Sequence, residues 1–129
     1  MKEITRVHTE RSISACHFLP RYSGKCSALH GHSWVIKVDV YAPINLETGM
    51  IIDFVDLKKI IDEYDHDYFN KPQRGQKEIE NPTAENLMRY FALQIVAKLT
   101  EKREDFTKIV VQVYESPESF AEVIFEVEE

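Results

Sequence analysis

The positions of two hydrophobic periodicities constrain the fold of this chain more than any other feature. Residues 34–40 alternate between apolar and mostly polar side chains, the period of a strand with one buried face, and residues 109–113 and 121–127 do the same. In the middle of the chain, apolar residues recur at every fourth position from Leu87 to Leu99, the stripe of a helix packed on a sheet. Strands are therefore predicted at both ends and a helix between them.

The remaining elements are predicted from shorter signals. An extended stretch over 4–18 forms a first strand, and Asp53 caps a first helix with an apolar face. The polar segment 67–81 is expected to be a loop, after which Asn81-Pro82-Thr83 opens the second helix with Pro82 in its first turn. The order β-β-α-α-β-β predicts a single α+β domain over residues 1–129, an antiparallel sheet with two helices on one face. Its edges are places for other copies to dock.

Charge and composition exclude several classes of protein. Sixteen basic and twenty-two acidic residues give a net charge of −6, so no nucleic acid is expected as a partner. No apolar run is long enough to span a bilayer, and no apolar stretch of the signal-peptide type precedes Arg6. We therefore expect no membrane partner and a cytoplasmic location. In that reducing compartment, Cys16 and Cys26 are not expected to form a disulfide.

Three of the five histidines are candidate metal ligands. His30 and His32 are two residues apart, so on a strand both side chains lie on one face. His17, at the end of the first extended stretch, offers a third imidazole, and three neutral imidazoles suit a zinc ion with an open fourth position. Two alternatives stay open: the histidines form an exposed turn, or Cys26 is a fourth ligand that closes a structural site.

Three further groups are candidates for proton transfer or substrate binding. Cys26, close to a metal and a histidine, is a candidate thiolate base, whereas Cys16 is predicted to be an inert buried thiol. Asp65 and His66 form a candidate acid–base pair, although, taken alone, they are better explained by a histidine that stabilises a helix C-terminus. Glu115 ends an apolar strand and offers two acceptors to a flat heterocycle, unless it is simply a solvated strand end.

An ordered set of short motifs spans nearly the whole chain. Together these motifs resemble the 6-pyruvoyl-tetrahydropterin synthase and 6-carboxy-tetrahydropterin synthase family. They are Ala15-Cys16-His17, Cys26-x-x-x-His30-Gly31-His32, Gly49-Met50-Ile51-Ile52-Asp53-Phe54, Asp65-His66 with Asn70, Asn81-Pro82-Thr83-Ala84-Glu85-Asn86-Leu87 and Tyr114-Glu115-Ser116.

The resemblance implies a role for each candidate residue. It implies that zinc is the cofactor and that its ligands are His17, His30 and His32. It implies that the catalytic residues are Cys26 as the base, with Asp65 and His66 as its partners. The residues it implies for binding the pterin ring are Glu115, Thr83 and Glu85. The family fold is the T-fold, which assembles into oligomeric barrels, usually hexamers with active sites at subunit interfaces.

The implied substrate is 7,8-dihydroneopterin triphosphate, a small molecule. We favour the carboxy branch, whose products are 6-carboxy-tetrahydropterin, acetaldehyde and triphosphate, and which supplies queuosine synthesis; the pyruvoyl branch, which only eliminates triphosphate, is the alternative. Asp67 stands where relatives of the carboxy type often carry a second histidine, which leaves the subfamily open. A non-catalytic zinc domain and a pterin-binding protein without activity are the alternatives from other classes.

Overall fold

Five strands form one sheet in the order β3-β1-β2-β4-β5 in the computed structural model, which describes residues 1–128. The elements in chain order are β1 (Arg6–His17), β2 (His30–Tyr41), α1 (Phe54–Ile61), β3 (Asp67–Tyr68), α2 (Ala84–Lys102), β4 (Lys108–Ser116) and β5 (Ser119–Glu126). β1 and β2 pair along their full length, and β2–β4 and β4–β5 are also antiparallel. The predicted α+β order of the long elements is confirmed.

The short strand β3 corrects the prediction of a purely antiparallel sheet. Asp67 and Tyr68 were expected to begin a loop, but they pair in parallel with Ala15 and Cys16 at the edge of β1. Two residues carry no hydrophobic period, so only the neighbouring strand reveals this element. The sheet is therefore mixed, with β3 and β5 as its edges.

The core lies between one face of the sheet and the two helices. The alternating residues of β2 from Trp34 to Val40 are buried, and they pack with the α2 stripe of Leu87, Phe91, Ile95 and Leu99. α2 packs on β4 and β5, whereas α1 packs on β1. Both predicted helices are thus on the same face as the buried side chains.

Side-chain caps fix where both helices begin. The Asp53 carboxylate accepts a hydrogen bond from the Val55 N–H, as predicted, and the Thr83 hydroxyl accepts one from the Asn86 N–H. Because Thr83 is the cap, Pro82 lies before the helix and not in its first turn. Within residues 1–128, neither helix is long and apolar enough to cross a membrane.

Candidate functional site

The register between β1 and β2 brings the three predicted metal ligands together. His17, the last residue of β1, is directly opposite His30, the first residue of β2. His32 follows two residues later on the same face of the sheet, and its ring centre lies 5.2 Å from that of His17. The convergence predicted from the His30–His32 spacing is therefore present, and the His17 ring lies next to both of the other rings.

Hydrogen bonds to the backbone fix the tautomers of two of these rings. His17 Nδ1 lies 2.8 Å from the Pro82 carbonyl oxygen, and His30 Nδ1 lies 2.7 Å from that of Ala28. A carbonyl oxygen only accepts, so each Nδ1 carries the proton and each Nε2 carries a lone pair. These Nε2 atoms lie 3.1 Å apart, too close for two lone pairs unless a cation or a proton lies between them.

A carboxylate from β4 completes the group. Glu115 lies on the inward face of β4, and its Oε1 lies 3.0 Å from His32 Nε2. The buried His32 Nε2 nevertheless makes no hydrogen bond in the described part of the chain. One donor atom from each of His17, His30, His32 and Glu115 lies within 4.8 Å of the other three. We call these four side chains the metal cluster.

The metal cluster fits a zinc ion. Tetrahedral zinc with bonds of 2.0–2.1 Å would separate neighbouring ligand atoms by about 3.3 Å, close to the observed separation of His17 and His30 Nε2. Burial lowers the pKa of His17 and, for the same reason, that of His32, which favours the neutral imidazoles that bind metals. The lone pairs on His17 and His30 Nε2 and the absence, within the described residues, of a hydrogen bond to His32 Nε2 also favour metal binding.

Cys26 does not belong to the metal cluster. It lies in a short 3₁₀ turn, Lys25–Ser27, which precedes β2, and its side chain is half-buried. Among the described residues, the fourth group beside the three imidazoles is Glu115. The thiol of Cys26 is therefore available for a role other than that of a metal ligand. Cys16 lies on the outward face of β1, where its thiol donates weakly to the Asp67 carbonyl oxygen over 3.7 Å.

Asp65 and His66 lie along the outer edge of β1. Asp65 Oδ1 accepts a hydrogen bond from the Ser14 N–H over 2.8 Å, and His66 Nε2 lies 3.8 Å from Asp65 Oδ2. The His66 ring is 80% exposed and borders an open cavity of about 600 Å³ together with outward-facing residues such as Ser33. Cys16 borders the same cavity and is half-buried, so the prediction that its side chain is buried is wrong. Outward-facing residues of β1 and β2 form most of the cavity lining, and His32 of the metal cluster, whose side chain lies on the other face of the sheet, also borders the cavity.

The three predicted pterin-binding residues lie near the start of α2. Glu115 and Glu85 border a second cavity, of about 460 Å³, between α2 and the β4–β5 hairpin. Met88 and Phe120 give it apolar walls. Thr83 caps the adjacent helix terminus, so its hydroxyl already accepts one backbone hydrogen bond. Glu115 therefore lies both in the metal cluster and at the border of this cavity.

Sequence reasoning missed two supports of this region. Trp34 packs edge-on against His17, with ring centres 4.9 Å apart, and its indole N–H donates to the Ala15 carbonyl. Its place in the alternating strand marked it as buried but not as a neighbour of the histidines. Arg74, in a polar loop without periodicity, pairs with the buried Asp67, and no sequence signal indicated that contact.

Comparison with known proteins identifies the family of this chain. The model of the family described as 6-pyruvoyl tetrahydropterin synthase matches residues 6–125. The 6-carboxy-5,6,7,8-tetrahydropterin synthase of Synechocystis sp. is 38% identical over 104 residues, which is 74% of each chain. The protein of that name from Rickettsia conorii is 34% identical over 131 residues, covering 86% of this chain and 94% of its own.

Solved structures agree on the fold. A 6-pyruvoyl tetrahydropterin synthase from Plasmodium falciparum superposes with a TM-score of 0.73 at 21% identity, covering 98% of this chain and all of its own. That likeness supports the α+β architecture, and the family model and the curated relatives add the sequence evidence. This chain belongs to the 6-pyruvoyl tetrahydropterin synthase family.

Proposed function

We propose that this protein is a zinc-dependent 6-carboxy-5,6,7,8-tetrahydropterin synthase that acts on 7,8-dihydroneopterin triphosphate. The observation that carries the proposal is the metal cluster beside a cavity that can hold a flat ring. Curated relatives that are at least 30% identical bear this name, which supports the carboxy branch. In that branch the side chain of the substrate is cleaved, the products are acetaldehyde and triphosphate besides the pterin, and the pterin supplies queuosine synthesis.

The proposed roles of the metal cluster follow from its donors. His17, His30 and His32 would hold the zinc ion, which would supply Lewis-acid activation of the side-chain hydroxyls of the substrate. Glu115 accepts hydrogen bonds from the 2-amino group and the ring N–H of the pterin. Its place at the border of the second cavity supports this role, and Glu85 and Thr83 lie at the same end of α2.

Proton transfer is assigned to three residues outside the metal cluster. Cys26, as a thiolate, removes a proton from the substrate side chain. His66 returns or relays protons, and Asp65 orients the imidazole and stabilises its charged form. The ring of His66 is exposed and therefore accessible to a substrate, and the Asp65 carboxylate lies 3.8 Å from its Nε2.

We further propose that the complete active site is formed between subunits of a hexamer. Within one chain the imidazoles of the metal cluster lie on the helix face of the sheet, whereas the Asp65–His66 pair lies at the outer edge of β1, and this separation supports a site to which a second copy contributes its His66. The edge strand β5 has one partner strand in the chain, and Phe120 and Ile124 on it are each 50% exposed. These features support pairing of copies at that edge.

The pyruvoyl branch is the second candidate function. The description of the matching family model favours it, since that family is named for 6-pyruvoyl tetrahydropterin synthase. Both branches start from the same substrate, and they differ in the fate of its side chain.

Product analysis tests the proposal and separates the branches. Zinc-loaded protein is incubated with 7,8-dihydroneopterin triphosphate, and the pterin product is identified by mass spectrometry. We expect 6-carboxy-tetrahydropterin with acetaldehyde in equal amount. A 6-pyruvoyl product without acetaldehyde would contradict the carboxy branch, and unchanged substrate would contradict the enzymatic function.

A further inference from the structure

Asp67 is a buried carboxylate with a complete set of partners next to the exposed His66. Its side chain is 1% exposed. Oδ1 accepts the backbone N–H groups of Tyr68 and Gln73 at 2.8 and 2.9 Å. Oδ2 accepts the Gln76 side-chain amide at 2.7 Å and pairs with the Arg74 guanidinium at 3.1 Å. A buried carboxylate needs such partners, and here they all come from one short segment.

Arg74 ties the same segment to the chain that precedes His66. Its NH2 group donates to the carbonyl oxygens of Glu63 and Asp65 at 3.0 and 3.1 Å. Gln76 donates to the Glu63 carbonyl oxygen as well. One guanidinium thus contacts the backbone just before His66 and the carboxylate just after it. The Arg74 guanidinium therefore holds the residues on both sides of His66.

The backbone of His66 requires such support. Its φ is +58°, in the left-handed region, and it is the one non-glycine residue with a positive φ among residues 1–128. A conformation of this kind persists when the surrounding contacts hold it. The His66 N–H also donates to the Ser14 carbonyl oxygen at 2.6 Å, which attaches the residue to β1.

The direction of the imidazole follows from this backbone. The ring is 80% exposed, and the charged group near it within the chain is Asp65, 3.8 Å from Nε2. No packing against neighbours fixes a ring that exposed, so the path of the main chain decides where it points. Contacts that fix the main chain therefore fix the Cα–Cβ direction from which the ring extends.

We propose that Asp67 and Arg74 are positioning residues for His66, which hold its left-handed backbone so that its imidazole meets the substrate. The proposal rests on the proposed function, in which His66 transfers protons. The other interpretation is that the ion pair only stabilises the loop. In that case its loss would reduce stability without a selective effect on turnover.

Arg103 offers a matched control. Like Arg74, it pairs with one carboxylate, that of Asp105, and donates to two backbone carbonyl oxygens, those of Ile51 and Pro43. Its contacts connect other parts of the chain and none of them involves His66. Arg74→Gln and Arg103→Gln therefore remove the same kinds of contact at two places, although the side chain of Arg103 is the more buried of the two. Arg74 is half exposed, so its loss creates no buried cavity.

The test compares turnover of dihydroneopterin triphosphate by the two variants with that of the wild type. We expect Arg74→Gln to lower kcat ten- to a hundredfold, as misplacement by about 1 Å does, while KM changes less than about threefold. Arg103→Gln should lower the thermal midpoint at least as much, because Arg103 is the more buried, but leave kcat within about twofold of the wild type. An unchanged kcat in Arg74→Gln, or equal losses of kcat in both variants, would overturn the proposal.

A second measurement does not depend on turnover. Hydrogen exchange of the His66 amide, followed by NMR, reports the hydrogen bond to Ser14 directly. We expect exchange at least about tenfold faster in Arg74→Gln, with the Val38 amide in the core unchanged. Equal exchange of the His66 amide in wild type and variant would overturn the positioning role. An inactive wild type would contradict the proposed function alone, because this measurement still decides on Arg74.

Discussion

The Nε2 atoms of His17 and His30 lie 3.1 Å apart while the Nδ1 atom of each ring faces a backbone carbonyl oxygen. Both rings are thereby fixed in the tautomer that directs a lone pair to the same point. The carbonyl of Pro82, just before α2, and that of Ala28, just before β2, provide this arrangement. The backbone just before these two secondary-structure elements thus determines which nitrogen of each ring is free to bind a cation.

His30→Ala should remove the bound metal. The purified wild type is expected to hold about one zinc per chain, and loss of one of three imidazoles should reduce that content to a small fraction. The matched control is His8→Ala, since His8 lies on the outward face of β1 and pairs with Asp39. Elemental analysis after dialysis gives the result. Full zinc content in His30→Ala would contradict the assignment of this ligand.

The two cysteines should differ in catalysis. Cys26→Ala is expected to keep zinc and thermal stability, because its thiol lies outside the metal cluster. It should lose nearly all turnover, because the proposed base is removed. Cys16→Ala, on the outward face of β1, should change turnover less than about twofold. Zinc content, thermal midpoint and turnover are measured for both variants. Release of zinc by Cys26→Ala would favour a closed structural site instead.

The sequence predicts the parts of this site that depend on neighbouring residues of one strand, and it does not predict the parts that depend on how separate strands pair. The His30–His32 spacing continues the alternation of Trp34 and Ile36, so one strand period suffices to put these side chains on one face. The position of His17 opposite His30 is different. It depends on the register of β1 against β2, and the imperfect alternation of β1 does not fix that register.

Other features became visible only in the fold. The strand β3 exists because Asp67 and Tyr68 meet the edge of β1, and two residues have no pattern of their own. Glu115 was predicted to bind a ring, and its closeness to His32 arises from the pairing of β2 with β4. Arg74 lies in a polar loop, where sequence alone gives a charged residue no particular partner.

Glu115→Gln separates ring recognition from chemistry. The change keeps the size of the side chain but replaces one acceptor with an N–H₂ donor that faces the donors of the pterin. A mismatched buried donor costs about 1–3 kcal/mol, roughly a ten- to hundredfold loss of pterin affinity. Zinc content should stay at about one per chain, because three imidazoles remain. Titration calorimetry with a pterin measures the affinity.

Glu118→Gln is the control, since Glu118 lies in the turn between β4 and β5 and is exposed. His66→Ala should give the complementary result, with pterin affinity retained and turnover lost. Unaltered pterin affinity in Glu115→Gln would show that Glu115 does not bind the ring and is only a solvated residue at the end of β4.

Asp67 should make stability depend on pH in the acid range. Burial alone would raise the pKa of Asp67, but hydrogen bonds from Gln76 and from the N–H groups of Tyr68 and Gln73, together with Arg74, hold the pKa below its usual value. The unfolded chain then binds more protons than the folded one below about pH 4, so this contribution is complete above that pH and is lost as the pH falls through the lowered pKa.

Urea denaturation of metal-free wild type and Asp67→Asn measures this contribution. The wild type should be the more stable protein at about pH 6, and the difference in the free energy of unfolding should shrink at about pH 3. The same difference at both pH values would show that Asp67 does not contribute through its charge.

Turnover as a function of bound zinc tests the central claim most directly. The protein is stripped of metal with a chelator, returned to buffer and titrated with zinc, and pterin product from dihydroneopterin triphosphate is measured at each point. The account predicts almost no turnover without metal and a linear rise that ends at about one zinc per chain, with His30→Ala inactive throughout. Metal-free wild type as active as the zinc-loaded protein would contradict it.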